Sequence, residues 1–139
     1  MEPDRTILKR LLFVDDEPAI RKTLPVILRK SGFAVTVAAT VSGALDEIRK
    51  QQFDIVLCDL NIEGVSDGFE VVRAIRAIDP DCVAVMLTAH PDMQSAIEGI
   101  RHGVDDYILK PTDPNTLAAL LAKTLSKRES ITERRPLSY

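Results

Sequence analysis

Five short apolar runs punctuate the chain, at 11–14, 34–38, 55–58, 83–87 and 107–109. They are mostly continuous rather than alternating, which is the pattern of parallel strands covered on both faces. Between them lie 19–30, 41–51, 69–78 and 93–102, each with apolar residues at helical spacing. In the third of these, Val72, Ile75 and Ile78 mark the expected inner face. The punctuation agrees: Gly32 and Gly103 stand in C′ positions after the first and fourth helical segments, and Asp79-Pro80 ends the third. Thr112 or Asp113 is placed to cap a fifth helix with Pro114 in its first turn. Pro25 conflicts with this reading, since it falls inside the first helical pattern and predicts a kink or a later start. Five strands alternating with five helices predict an α/β fold, a doubly wound parallel sheet without internal repeat or linker.

Composition narrows the class. The 139 residues suit one domain, and 45% apolar content suffices for one core. Aromatic residues make up 4% and Trp is absent, so that core must be built from Val, Ile, Leu and Ala. A net charge of −3 gives no clustered positive footprint and argues against nucleic-acid binding by this segment. The apolar stretch at 11–14 is too short for a secretory signal or a membrane span, so the chain reads as soluble and cytoplasmic. Cys58 and Cys82 read as buried reduced thiols. Residues 126–139 are polar and are expected to extend the last helix and then fray. After Lys110 the chain holds too little for a DNA-binding output domain as well as the final helix.

The chemistry lies where each strand ends. Asp15 and Asp16 follow the first apolar run, Asp59 the third, Thr88 the fourth and Lys110 the fifth. In parallel α/β sheets functional groups gather at the carboxyl ends of the strands, so three carboxylates, a hydroxyl and an ammonium converge at one edge. Two carboxylates about 4 Å apart repel by roughly 4 kcal/mol at an effective dielectric near 20. Three together would either raise their pKa values or recruit a cation. An all-oxygen site with room for water suits Mg²⁺. An aspartate beside such an ion is a nucleophile for phosphorus, and Lys110 and Thr88 would serve the phosphoryl oxygens. Plainer roles remain open for each residue singly: Asp16 as a cap for the helix near Pro18, Thr88 as an ordinary strand residue, Lys110 as a surface charge.

The stretches LLFVDDEP, DIVLCDLN, VMLTAH and DDYILKP resemble the receiver domain of two-component response regulators, over roughly residues 8–127. The resemblance implies a flavodoxin-like (βα)5 sheet with strand order 2-1-3-4-5, a receiver domain at 1–127, and a polar tail or linker start at 128–139. It implies Asp59 as phosphoacceptor, with Mg²⁺ held by Asp15, Asp16, Asp59 and the backbone carbonyl of Asn61. Thr88 and Lys110 would contact the phosphoryl group, and Lys110–Pro111 would be a cis peptide. Thr88 and Tyr107 would form the switch, Tyr107 turning inward and altering the face of the fourth helix, fifth strand and fifth helix. From spacing alone, a fixed half-buried Tyr107 stands equally. Ala89 would leave the phosphoryl pocket open.

The implied partners are a sensor histidine kinase or phosphotransfer protein and a downstream protein or output domain, with dimer formation on phosphorylation. No membrane partner is expected, and the chain is read as a signalling module rather than a metabolic enzyme. The sequence departs from the family pattern in three places. The loop NIEGVSDG is one residue longer than usual, with Glu63 where Pro is common. Gly99 stands mid-helix, at a cost near 1 kcal/mol. Asn61 and His90 occupy positions that tune dephosphorylation in this family, although His90 reads better as a plain loop residue, and His102 is too isolated for a metal site. A haloacid-dehalogenase-type hydrolase would want an acid where Asn61 stands. A flavodoxin-like cofactor binder would want a phosphate loop where DDEP stands.

Overall fold

The computed structural model describes residues 8–89, 92–110 and 112–134, without the side chains of 131–134. His90 and the 110–111 peptide bond, for which expectations were stated, therefore lie outside the described residues or at their edge. Ten elements alternate: β1 Lys9–Val14, α1 Pro18–Lys30, β2 Phe33–Ala38, α2 Val41–Lys50, β3 Ile55–Asp59, α3 Gly68–Ile78, β4 Val83–Thr88, α4 Met93–Arg101, β5 Asp106–Leu109 and α5 Pro114–Arg134. All strand pairings are parallel, in the order β2-β1-β3-β4-β5. This is the expected doubly wound α/β fold and strand order.

The continuous apolar runs are explained by two cores, one on each face of the sheet. Leu12, Val14, Val56, Cys58, Ala84 and Met86 face α2 and α3, meeting Ala44, Ile48, Val72 and Ile75. Their sequence neighbours Leu11, Phe13, Ile55, Leu57, Val83 and Val85 face α1 and α5, meeting Leu24, Leu28, Leu117 and Leu121. Successive side chains point to opposite faces, so a strand covered on both sides is apolar at every position. Helix α4 gives no residue to either core, and its Met93 and Ile100 are each 79% exposed.

Local chemistry sets the helix ends. Thr40 accepts the Gly43 N–H at 2.9 Å to start α2, Asp92 and Ser95 form a reciprocal capping box on α4, and Asp113 accepts the Thr116 N–H to start α5. Gly32 and Gly103 take φ of +102° and +77° just after α1 and α4, the left-handed turn glycine favours.

Three expectations need correction. Helix α1 runs unbroken through Pro25, which lies buried on its inner side. Asp16 caps nothing at α1: the N-cap is Glu17, without a side-chain bond, and Asp15 accepts the Glu17 N–H at 2.9 Å instead. Ile78 is 58% exposed, because at the last turn of α3 it lines an open cleft between the ends of α2 and α3 rather than the core. Helix α5 continues through Arg134, so part of the polar C-terminal stretch is helical. No helix among the described residues is long and apolar enough to cross a membrane.

Candidate functional site

The sheet brings its strand ends together where the winding direction changes, with β1 between β2 and β3. Asp15 follows β1 and is fully buried, its backbone N–H held by the Ala38 carbonyl at 3.1 Å. Asp59 is the last residue of β3, paired in register with Leu87 of β4. Lys110 follows β5 and donates its backbone N–H to the Thr88 carbonyl at 2.7 Å. That bond carries the Lys110 side chain back across the sheet. Its ammonium donates to Asp15 Oδ2 at 2.8 Å and to Asp59 Oδ2 at 3.2 Å.

One carboxylate oxygen from each of Asp15, Asp16 and Asp59 lies within 4.8 Å of the others. Asp15 and Asp59 are buried while Asp16 is exposed, so the cluster opens to solvent on one side. Three carboxylates against one ammonium leave two uncompensated negative charges. Burial pushes the Asp59 carboxyl above the usual range, the charge of Asp15 adds to this, and Lys110 opposes it. Burial works against the Lys110 ammonium, yet its hydrogen bonds and charge pairing with Asp15 and Asp59 prevail and raise its pKa. The site is therefore short of positive charge and already holds one fixed cation.

A divalent ion fits that donor set. An octahedral Mg²⁺ with bonds of about 2.1 Å spreads its trans ligands over roughly 4 Å and keeps several waters, close to the spacing and one-sided exposure seen here. Zinc, by contrast, favours nitrogen and sulfur ligands.

Asn61 donates its backbone N–H to Asp59 Oδ1 at 3.3 Å, which keeps the start of the β3–α3 loop against the cluster. Thr88 is fully buried at the end of β4. Tyr107, on β5, is half-buried against the α2–α3 core, and its hydroxyl donates to Ser95 Oγ at 2.8 Å. Ala89 lines an apolar groove of about 450 Å³ beside Lys110, together with Ile20, Leu24 and Leu117. His102 stacks on Phe69 with ring centroids 4.9 Å apart. Cys58 and Cys82 are buried and unpaired, and burial pushes the Cys82 thiol up to about 12, so it stays protonated.

Some residues that shape the site were not singled out from the sequence. Gly68 opens α3 directly against the end of β3, which carries Asp59. A Cβ there would lie 2.3 Å from the Asp59 carbonyl oxygen and 2.9 Å from that of Leu60, so only glycine fits. Asp67 turns its carboxylate back into the loop, and Ser95 receives the Tyr107 hydroxyl. An Asp-Gly pair reads locally as a turn and Asp-x-x-Ser as a cap, so neither showed what it would touch.

Strand-end carboxylates bridged by a lysine, on a 2-1-3-4-5 sheet, define a class: the chain belongs to the response regulator receiver domain family, which matches residues 11–122. Receiver domains of this kind act in two-component signalling and are signalling proteins rather than metabolic enzymes. The chain is 38% identical over 124 residues to the DNA-binding response regulator MtrA of Mycolicibacterium smegmatis, covering 89% of this chain and 54% of that protein. It is 34% identical over 126 residues to the transcriptional regulatory protein ZraR of Escherichia coli, covering 91% of this chain and 28% of that one. The chain thus spans about half the length of these relatives, or less. Among solved structures, a CheY-like response regulator receiver domain protein from Methanospirillum hungatei superposes with a TM-score of 0.83 at 29% identity, covering 89% of this chain and 98% of that one.

Proposed function

We propose that Asp59 is the phosphoacceptor of this receiver domain. A carboxylate oxygen of Asp59 attacks the phosphorus of the donor, the bond from phosphorus to the leaving group breaks, and that group departs with the electron pair. The observation that carries this reading is Lys110, whose ammonium bridges Asp59 and Asp15. It holds the nucleophile in place and stands ready for a phosphoryl oxygen. Asp15, Asp16, Asp59 and the Asn61 carbonyl would hold Mg²⁺, which supplies charge neutralisation to the transferring group. Thr88 would donate to a phosphoryl oxygen once the group is attached.

The phosphoryl donor in this reading is a sensor histidine kinase or phosphotransfer protein in the cytoplasm. Thr88 and Tyr107 transmit the change to the face of α4, β5 and α5, which meets a downstream protein, an output domain or a second copy. Exposed Met93, Ile97 and Ile100 on a helix that joins neither core support that choice of face. The segment itself binds no nucleic acid and no membrane, and the receiver unit comprises residues 1–127, with 128–139 as tail or linker start.

Incubation with Mg²⁺ and acetyl phosphate, followed by intact mass measurement, tests the proposal. A single labile phosphoryl adduct is expected, absent with EDTA and absent in Asp59→Asn. An adduct that survives in Asp59→Asn, or none from any donor, would remove Asp59 from the role.

A further inference from the structure

The β3–α3 loop is closed on itself by its own hydrogen bonds. Asp67 stands at the N-cap of α3 with φ −73° and ψ −12°, yet makes no cap bond to its own helix. Its Oδ1 accepts the Ile62 N–H at 2.7 Å, and its Oδ2 accepts the Glu63 and Gly64 N–H groups, both at 2.9 Å. Three N–H bonds to one ionised carboxylate are charge-assisted and stronger than neutral ones. A second clasp lies alongside: Asn61 Oδ1 accepts the Ser66 N–H at 2.7 Å. It holds Ser66 at φ +58°, a left-handed backbone that a non-glycine residue adopts at some cost. The Gly68 N–H to Leu60 carbonyl bond at 2.8 Å shuts the ring. The loop leaves the cluster at Asn61, whose N–H is itself bonded to Asp59.

We propose that Asp67 is a positioning residue for the divalent-cation site, holding the Asn61 backbone in its ligating place before the ion arrives. The proposal rests on reading Asp59 as the centre of a Mg²⁺-dependent acceptor. Its logic is geometric. Mg²⁺ demands near-ideal octahedral placement of its ligands, so a ligand on a loose loop must be ordered at the expense of binding. Outer partners that fix metal ligands are commonly worth 10- to 100-fold in affinity.

The test is calorimetric titration of Mg²⁺ into wild-type protein, Asp67→Ala, Asp67→Asn and Asn61→Ala, with circular dichroism confirming the fold of each. Asp67→Ala is expected to weaken Mg²⁺ about tenfold. Asp67→Asn, which keeps one acceptor oxygen, falls between it and wild type. Asn61→Ala, which removes no charge, weakens binding severalfold. Each loss persists at about 0.5 M salt, where a through-space charge effect is screened within a few ångströms. With acetyl phosphate, Asp67→Ala raises the Mg²⁺ concentration for half-maximal phosphorylation by the same factor while its rate at saturating Mg²⁺ stays at the wild-type value.

Affinity within twofold of wild type in folded Asp67→Ala and Asn61→Ala overturns the proposal, as does a loss that disappears in high salt. If Asp67→Ala does not fold, Asn61→Ala decides. A wild-type protein that binds no Mg²⁺, or that binds it equally well as Asp59→Asn, overturns the acceptor reading and this proposal together. Normal Asp59-dependent binding with unaffected loop variants overturns this proposal alone.

Discussion

Asp59 sits in the fold at an electrostatic disadvantage. Its carboxyl is pushed above its usual pKa by burial and by Asp15, with Lys110 only partly offsetting them. An acid whose folded pKa is raised costs stability once ionised. The cost sets in as pH rises from the unfolded value of about 3.9 through the folded one and is constant above it. Asp59→Asn should therefore melt a few degrees above wild type at pH 7 in EDTA, with the gap closing as pH falls toward about 4. Equal melting temperatures at pH 7 would contradict the assignment of strain to this residue. Gly68 makes an opposite prediction by sterics. A methyl group there meets the Asp59 and Leu60 carbonyls and the Met86 terminal carbon at 2.9 Å or less, so Gly68→Ala should lose about 3 kcal/mol in urea unfolding.

At the scale of the element, α4 is the helix held least by packing. It contributes to neither core, and its firmest ties are its own capping box and the Tyr107–Ser95 bond. Gly99 weakens it further without a steric need, since an added Cβ would meet Tyr107 and Val104 at an ordinary 3.7 Å. Gly99→Ala is expected to stabilise α4 by about 1 kcal/mol, read as slower amide exchange from 93–101. Unchanged exchange would show that the glycine does not limit the order of this helix. Thr40→Ala on α2 should move stability the other way by about 1 kcal/mol, through loss of the Gly43 cap bond.

Across the whole molecule, the end of the sheet opposite the acidic cluster is tied by one carboxylate. Asp105 accepts the Ala84 N–H and an Arg76 Nη2 N–H, both at 2.8 Å, and pairs with Arg128 of α5. Arg76 also reaches the Gly103 and Cys82 carbonyls, and Arg128 the Pro80 carbonyl at 2.7 Å. This network joins α3, β4, the turn before β5 and α5, and the Arg76, Asp105 and Arg128 side chains in it are 19%, 19% and 22% exposed. Asp105→Ala leaves two guanidinium groups without their carboxylate and should cost about 3 kcal/mol by denaturant unfolding. A loss under about 1 kcal/mol would show the network to be no more than a surface ion pair.

The strands and their order of burial were legible because a sheet covered on both faces makes every strand position apolar, a signal that needs no knowledge of the partners. The strand-end residues Asp15, Asp16, Asp59 and Lys110 were legible for a related reason. In a parallel sheet all carboxyl ends meet at one edge, so sequence position alone predicts their meeting. Gly32, Gly103 and Asp113 were readable as helix ends from backbone chemistry. Other features depended on distance through space. Pro25 stays within α1 on the side packed against the core, where tertiary packing overrides the local penalty. Ile78 has the right spacing for the core but lies where α3 has passed beyond it. The turn of Asp67 away from its own helix, the space closed by Gly68, the Tyr107–Ser95 bond and the Asp105 network each join groups that no local pattern pairs. The sequence by itself determined the sheet and the row of charges along its edge. Only the tertiary structure decided how the loop beside that edge is held, because hydrogen-bond partners depend on where the chain returns rather than on what precedes and follows each residue.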